Sequence, residues 1–245
     1  MREVVSETGS TNADLLARLA GDFPPPEGFW LMAERQTAGR GRLAREWESI
    51  QGNLHCSTPV HLKPSDAVAS TLAFVAGLAV FDTVERSLLP RTSVMLKWPN
   101  DVLVREAKIA GVLLERQGNH VCVGIGINVS YSPEILGRKT THIGYENGKF
   151  ANGPESVLDL LEDRFAARLA AWRQQPLSHT LLEWAVRSHR YDDQLRVTDP
   201  TGERLSGNYR GIDHTGALRI APQGSAERVL HAGDVMLGWR ESEED

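Results

Sequence analysis

Cysteine is scarce in this chain: among 245 residues there are two, Cys56 and Cys122, far apart and each inside an apolar segment. That excludes a disulfide-built scaffold and reads as reduced core thiols in a reducing compartment. Long apolar runs are missing as well. The most apolar stretch, Leu72 to Phe81, is too short to cross a bilayer and reads as a core helix. No basic-then-apolar leader follows Met1, because Glu3 and Glu7 interrupt the start, so the chain is expected to be soluble and cytoplasmic. Positive charge is not in excess either. A net charge of -5 gives no general attraction to nucleic acid or anionic lipid, so neither partner is expected and any cationic site must be local. The eight histidines show no zinc-type spacing, and there is no Gly-x-Ser-x-Gly elbow and no P-loop. Covalent catalysis through a side chain therefore has no candidate, which favours direct transfer between bound substrates organised by proximity and electrostatics.

Apolar residues at 41% and charged residues at 24% are enough to bury a core, as one large domain or one plus a small one. Ser10 and Thr11, either of which can cap a helix, precede Leu15, Leu16 and Leu19 at helical spacing, and Gly21 and Pro24-Pro25-Pro26 stop that helix. Phe29 to Ala33 reads as a strand leading into a glycine- and arginine-rich loop, Thr37 to Arg45. Asp66 to Leu89 has the apolar density of a long buried helix. From Ser93 to Val129, short β-rich segments break at Pro99-Asn100, Arg105-Glu106 and Gly118-Asn119, the pattern of an antiparallel meander in the middle of a sheet. Gly153-Pro154 opens a helix from Glu155 to Trp172, and Pro176 opens another to about His189. After Asp192, brief strands alternate with turns at Asp199-Pro200-Thr201-Gly202, His214-Thr215-Gly216 and Gly233-Asp234, which marks a small all-β module.

Four segments group chemistry. Arg35, Arg40, Arg42 and Arg45 fall within eleven residues, interleaved with Gly39 and Gly41, which let the backbone bend closely. Guanidinium groups there suit a phosphate or carboxylate, while a solvated surface loop reads equally well from the residues alone. Gly39-x-Gly41-x-x-Ala44 is not a dinucleotide fingerprint, because Glu46 to Asn53 has no helical apolar period. In Val121 to Val129, strand alternation puts Val121, Val123, Ile125, Ile127 and Val129 on one face and Cys122, Gly124, Gly126 and Asn128 on the other. The bare face admits either a flat ligand, the favoured reading, or a tightly packed helix. Lys97-Trp98-Pro99-Asn100-Asp101 joins two apolar strands; it is either a plain turn or a phosphate and magnesium site with a lysine, an amide and a carboxylate together. Lys108 and Gly111 fall on opposite faces by strict alternation, so sharing a ligand requires Lys108 to sit in the turn rather than the ladder.

Read in order, Ser10-Thr11-Asn12, Gln36 with Gly39 to Arg42, Lys97 to Asp101, Lys108 to Gly111 and Gly124 to Asn128 resemble the signatures of the biotin protein ligases. The likeness spans nearly the whole chain, and Arg210-Gly211-Ile212-Asp213 with Gly216-Ala217-Leu218 looks like that family's small SH3-like module. The resemblance implies an α+β fold. It would have a mixed-sheet catalytic domain of the class II aminoacyl-tRNA synthetase and biotin ligase type over residues 1–191, and an SH3-like β-barrel over residues 192–245. It implies ATP-dependent formation of biotinyl-5'-AMP, then transfer of biotin to a lysine of a biotin carboxyl carrier domain of a biotin-dependent carboxylase. Ser10, Thr11, Asn12, Gln36, Gly39, Arg40, Gly41, Gly111, Gly124 and Gly126 would hold biotin. Arg42, Asn100, Asp101, Lys108 and Asn128 would serve ATP, with Lys108 and Arg42 offsetting charge at the reacting oxygens. Magnesium would come with the ATP phosphates, its protein ligands unassigned, and a homodimer is an allowed assembly.

Two departures stand out. The family usually has glycine two residues after the second arginine, where this chain has Ala44, and Ser132 to Tyr145 matches loosely, which leaves the adenine side unassigned. The first matched motif begins by Ser10, so the N-terminal helix-turn-helix of members that repress transcription is not expected. The rival readings are a lipoate or octanoate ligase or transferase on a related fold, and a module that binds biotin without catalysis.

Overall fold

The computed structural model describes residues 1–236. In chain order it forms β1 (Arg2–Thr8), α1 (Thr11–Leu19), β2 (Trp30–Gln36), β3 (Leu54–His61), α2 (Leu72–Ser87), β4 (Val94–Lys97), β5 (Asp101–Val104), β6 (Ala107–Gln117), β7 (His120–Ile127), α3 (Ile143–Glu146), α4 (Pro154–Gln174) and α5 (Leu177–Ala185). Five short strands follow: β8 (Gln194–Thr198), β9 (Arg204–Ile212), β10 (Leu218–Ala221), β11 (Arg228–Leu230) and β12 (Asp234–Met236). The first seven strands make one sheet in the order β1-β2-β3-β7-β6-β5-β4. β1 lies parallel to β2 and the remaining pairs are antiparallel, so the sheet is mixed and the fold is α+β.

Each face of the sheet has its own cover. Val121, Val123, Ile125, Ile127 and Val129 join the main core beneath α2 and α4, while Cys122 joins a smaller cluster with Leu15, Leu19, Phe29 and Leu31 under α1. The alternation expected for β7 is thus the observed one. α2 is apolar nearly all round, with Leu72, Val75, Ala76, Ala79 and Val80 fully buried, because the sheet, α4 and α5 enclose it. Among the described residues no helix is long and apolar enough to cross a membrane.

The second sheet, ordered β11-β10-β9-β8-β12, is antiparallel, and its Leu195, Val197, Tyr209, Leu218, Ile220 and Val235 belong to the same continuous core as α2. Trp98 fastens the two sheets together: its indole N–H donates to the Gly216 carbonyl at 3.0 Å. Phe74 also fills the space beside Gly216, where a Cβ would come within 2.3 Å of its ring. Residues 237–245 of the expected small module lie outside the described residues.

Several boundaries differ from expectation. The helix expected from Asp66 begins at Leu72 after a 3-10 turn, Ala69–Thr71, because Asp66 accepts from the Lys63 amide and from Arg173 and holds the approach in a turn. α5 stops at Ala185 rather than near His189, since the Arg187 carbonyl accepts from Leu96 on β4. The strand expected over Phe29 to Ala33 runs on to Gln36 alongside Glu7 and Thr8 of β1. The meander does not fill the middle of the sheet; it runs from the central β7 out to the edge at β4. Two strands, β1 and β3, were not anticipated at all.

Candidate active site

The start of α1, the arginine-rich loop, the turn between β4 and β5, and the bare strip of β6 and β7 meet around one cavity of about 470 Å³. Ser10, Thr11, Asn12, Gln36, Arg40, Gly41, Arg42, Asn100, Asp101, Lys108, Gly111, Gly124, Gly126 and Asn128 all line it. Gly39 stands apart from the lining and shapes the loop instead: its carbonyl accepts from the Trp47 amide at 3.0 Å, and a Cβ there would lie 2.6 Å from the Trp47 carbonyl.

At one end, neutral groups are locked by hydrogen bonds. Ser10 is the N-cap residue of α1, yet its hydroxyl makes no capping bond, and neither does the expected Thr11 hydroxyl. Gln36 serves that helix end instead, its Oε1 accepting from the Thr11 amide at 2.8 Å and from the Thr11 hydroxyl at 3.1 Å. Asn12 is fixed at both ends of its amide: Oδ1 accepts from Ser57 at 2.6 Å, and Nδ2 donates to Glu115 at 2.8 Å. A Cβ on Gly124 would sit 2.2 Å from Asn12 Oδ1, so this glycine admits a helix side chain. At Gly126 the neighbour is the Trp47 ring, 2.4 Å from where a Cβ would be, and the same ring approaches Gly111. The helix-packing reading therefore holds at Gly124, and a flat group of the chain itself covers Gly126.

At the other end, cations are matched to carboxylates. Lys108 Nζ is 2.7 Å from Asp101 Oδ1, and Lys97 Nζ is 3.6 Å from Oδ2. Burial raises the Asp101 pKa, but Lys108 and Lys97 outweigh it and hold the carboxyl below its ordinary range. Burial lowers the Lys97 pKa, with Asp101 opposing. Lys108 also lies 5.4 Å from the centre of the Trp47 ring, within cation–π range. A register shift in the β5–β6 pairing resolves the parity problem: Val102 faces Ala110 but Leu103 faces Lys108, so Ile109 is an extra residue in a bulge. Lys108 and Gly111 thereby share the cavity face while Ile109 and Ala110 enter the core. Asn100 and Asn128 spend their Nδ2 donors on the Val112 and Thr141 carbonyls, at 2.6 and 3.0 Å, and so brace the strand ends.

The arginine loop is a short hairpin. The backbones of Arg40 and Glu46 pair as an antiparallel bridge, the Gly41 amide donates to the Arg45 carbonyl at 2.8 Å, and the tip is a 3-10 turn, Arg42–Ala44. Leu43 and Ala44 at that tip have φ of 57° and 55°, left-handed values that favour glycine. The hairpin reaches the second sheet: Arg42 Nη1 donates to the Gly233 carbonyl at 3.2 Å, and Arg45 lies 3.0 Å from Asp234. Burial pushes the Arg42 guanidinium pKa down, with Asp101 and Asp234 pulling it up. Sequence reasoning missed Trp47, Ser57, Glu115, Arg138, Gly233 and Asp234. Only Trp47, two residues beyond the last loop arginine, carried a local signal.

Residues 10–129 match the model of the Biotin/lipoate A/B protein ligase family. A protein of Mycobacterium tuberculosis named biotin--[acetyl-CoA-carboxylase] ligase is 36% identical over 96% of this chain and 88% of its own length. One of the same name from Paracoccus denitrificans is 34% identical over 96% of this chain and 100% of its own. Among solved structures, the biotin protein ligase of Aquifex aeolicus in complex with biotin and ATP superposes with a TM-score of 0.81 at 26% identity, covering 96% of this chain and 97% of that one. With the neutral hydrogen-bonded end, the arginine hairpin and Lys108 all facing one cavity, these likenesses over nearly the full length identify the chain as a member of the biotin protein ligase family.

Proposed function

We propose that this chain activates biotin with ATP to biotinyl-5'-AMP and then transfers the biotinyl group to a lysine of a biotin carboxyl carrier domain. One observation carries the reading: Lys108, on the cavity floor beside Gly111, faces the same space as the fixed Asn12–Gln36 end and the arginine hairpin. In the first step a biotin carboxylate oxygen attacks the α-phosphorus and the bond to pyrophosphate breaks. Two anions approach each other there, and preorganised cations in a water-poor site lower that barrier by several kcal/mol. Lys108 and Arg42 would supply this charge, Lys108 exchanging Asp101 for the incoming oxygens. In the second step the neutral carrier amine attacks the acyl carbon, the bond to the AMP oxygen breaks, and the amine loses a proton. The hairpin would keep water from the mixed anhydride.

Thr11, Asn12 and Gln36 suit the ureido end of biotin, and Gly111 and Gly126 would receive its ring with Trp47 as the facing wall. Among the described residues no group of three or more His, Cys, Asp or Glu side chains is placed to hold a metal. Magnesium would accordingly ride on the phosphate oxygens with Asp101 beside it, neutralising their charge. We read residues 1–191 as the catalytic unit and 192–245 as an SH3-like module. The buried, reduced thiols of Cys56 and Cys122 suit a cytoplasmic setting. A homodimer is the assembly to test by sedimentation.

The deciding assay combines purified chain, ATP, labelled biotin and a carrier domain. Label on the carrier, with biotin-dependent exchange of pyrophosphate into ATP, is the expected result. Binding without exchange would establish a non-catalytic module. The matched family model covers lipoate enzymes too, so calorimetry with both acids is part of the test, and preference for lipoate would overturn the biotin assignment.

A further inference from the structure

Trp47 covers part of the bare strip of the sheet, and a buried histidine sets the direction in which its indole points. His55 on β3 is 1% exposed and lies opposite Gly126 in the β3–β7 pairing, with Ala33 as its partner on β2. The ring of Trp47 rests against that same Gly126 and reaches Gly111. Its indole N–H donates to His55 Nδ1 at 3.3 Å, and His55 Nε2 donates to the Ile50 carbonyl at 3.4 Å. An indole nitrogen can only donate and a carbonyl oxygen can only accept, so these two partners fix the imidazole as the neutral tautomer with its proton on Nε2. Gly126 supplies the room for the indole, but room alone leaves the ring free to turn about its own side-chain bonds. The bond to His55 removes that freedom. Trp47 lines the cavity and His55 does not. Whatever the imidazole does for a ligand, it does through the indole.

We propose that His55 is a positioning residue of the vitamin pocket: as a neutral acceptor it holds the Trp47 indole against β7 as a fixed wall for the biotin ring, and a proton on Nδ1 unfastens that wall. The inference rests on the reading of the cavity as a biotin site. Once Nδ1 carries a proton, two N–H groups face each other where a donor met an acceptor, and the indole turns away. Burial lowers the His55 pKa from its ordinary value, with the Ile50 carbonyl opposing, so the ring is neutral near pH 7 and the pocket slackens only in acid. The groups around the pair leave that direction intact. β2 and β7 present Ala33 and Gly126, and α1 brings the neutral Thr11 and Asn12 to β3 at Ser57. The charges of α4 lie on the opposite face of the sheet. Lys108 on β6, 5.4 Å from the centre of the indole, opposes a second positive charge, while Glu46 and Glu48, the chain neighbours of Trp47, are exposed. The competing view is that His55 is a core residue that merely ties β3 to Ile50. It predicts a less stable fold, but no link between protonation of one imidazole and retention of a ligand that the imidazole does not touch.

The experiment follows one resonance and one affinity in the full chain. The Trp47 indole N–H resonance, assigned by its absence from Trp47→Phe, is followed by heteronuclear NMR from about pH 7.5 to about pH 5. Calorimetric biotin binding is measured over the same range for the wild type, His55→Phe and His55→Asn. Asparagine keeps an uncharged oxygen acceptor close to the place of Nδ1, and phenylalanine keeps a ring without one. At the upper pH, biotin should bind roughly tenfold more weakly to His55→Phe and within about twofold of wild type to His55→Asn, with magnesium ATP affinity unchanged in both. On acidification the wild type should lose roughly a further fivefold relative to His55→Asn, in step with the indole resonance. Biotin's own carboxyl titrates equally in the two proteins and drops out of that ratio. Wild-type affinity in His55→Phe, equal weakening in both variants, or a ratio that does not move with pH overturns the proposal. Should His55→Phe fail to fold, the pH dependence of the ratio decides alone. A wild type that binds no biotin at the upper pH defeats the biotin reading and this inference with it. Biotin bound with the indole resonance indifferent to pH and to His55 defeats this inference alone.

Discussion

At one end of the cavity Thr11, Asn12, Gln36 and Ser57 are tied to one another by hydrogen bonds of 2.6 to 3.1 Å between neutral groups. At the other, Lys108, Arg45 and Arg138 are each tied to a carboxylate of the chain itself. The first end is preorganised: its dipoles are already oriented by one another in the absence of ligand. The second is pre-compensated: its cations are already paired with Asp101 and Asp234, which a bound polyanion would have to replace. On the proposed function, one end would recognise shape and hydrogen-bond pattern, and the other would exchange one set of negative charges for another.

The sharpest way to break that contrast is Lys108→Ala. It removes the ammonium proposed to face the reacting oxygens and takes from Asp101 the 2.7 Å partner, leaving Lys97 at 3.6 Å as its remaining lysine. Biotin-dependent pyrophosphate exchange should fall at least about a hundredfold, the usual effect of losing one transition-state donor. Biotin affinity should change far less, and circular dichroism should show a native fold. Exchange at the wild-type rate would remove Lys108 from the chemistry. Next in size is Asn12→Ala at the neutral end, which leaves Ser57 and Glu115 without their shared amide. The KM for biotin should rise about tenfold while the KM for ATP stays put, in keeping with about 1 to 2 kcal/mol for a partner left unmet. An equal rise in both would show that the two ends are not independent.

How much of this was readable beforehand depended on range. The β7 alternation was plain because period two is local, and Lys97 to Asp101 announced a turn by its own residues. β3 was hidden because His55, Ser57 and Thr58 are polar yet buried, and Pro59 breaks the usual strand pattern. β1 was hidden because Glu3, Val5 and Glu7 share one parity, so charge breaks the apolar alternation, on a sheet edge where charge is the usual guard. The placement of Lys108 required a bulge, and a bulge shifts register by one residue without leaving a mark in composition. Arg138 and Asp234 are 96 residues apart, and no spacing rule joins them.

Glu115 is where the two ends meet, since its carboxylate accepts from Asn12 Nδ2 and lies 3.9 Å from Arg40. Glu115→Gln keeps an acceptor for the amide and deletes the charge opposite the hairpin. The expected effect is about a threefold rise in biotin KM that is erased at high salt, as befits a partly exposed ion pair. A larger effect that persists in salt would mean that the carboxylate belongs to the neutral network, and the border between the ends would have to be redrawn.

The smallest change tests the hairpin that spans both ends. Ala44 has a φ of 55° where relatives usually carry glycine, and a non-glycine residue in that region costs about 1 kcal/mol. Ala44→Gly removes that cost from the tip, next to the Arg42 and Arg45 contacts with Gly233 and Asp234. Glycine also gives the opened hairpin more freedom, which offsets part of the gain. The net expectation is release of the adenylate slowed by about twofold, read by stopped-flow with the Trp47 fluorescence as reporter. Faster release would mean that the left-handed tip belongs to the opened hairpin rather than the one closed over ligand, and that alanine at this position holds the lid shut more firmly than glycine would.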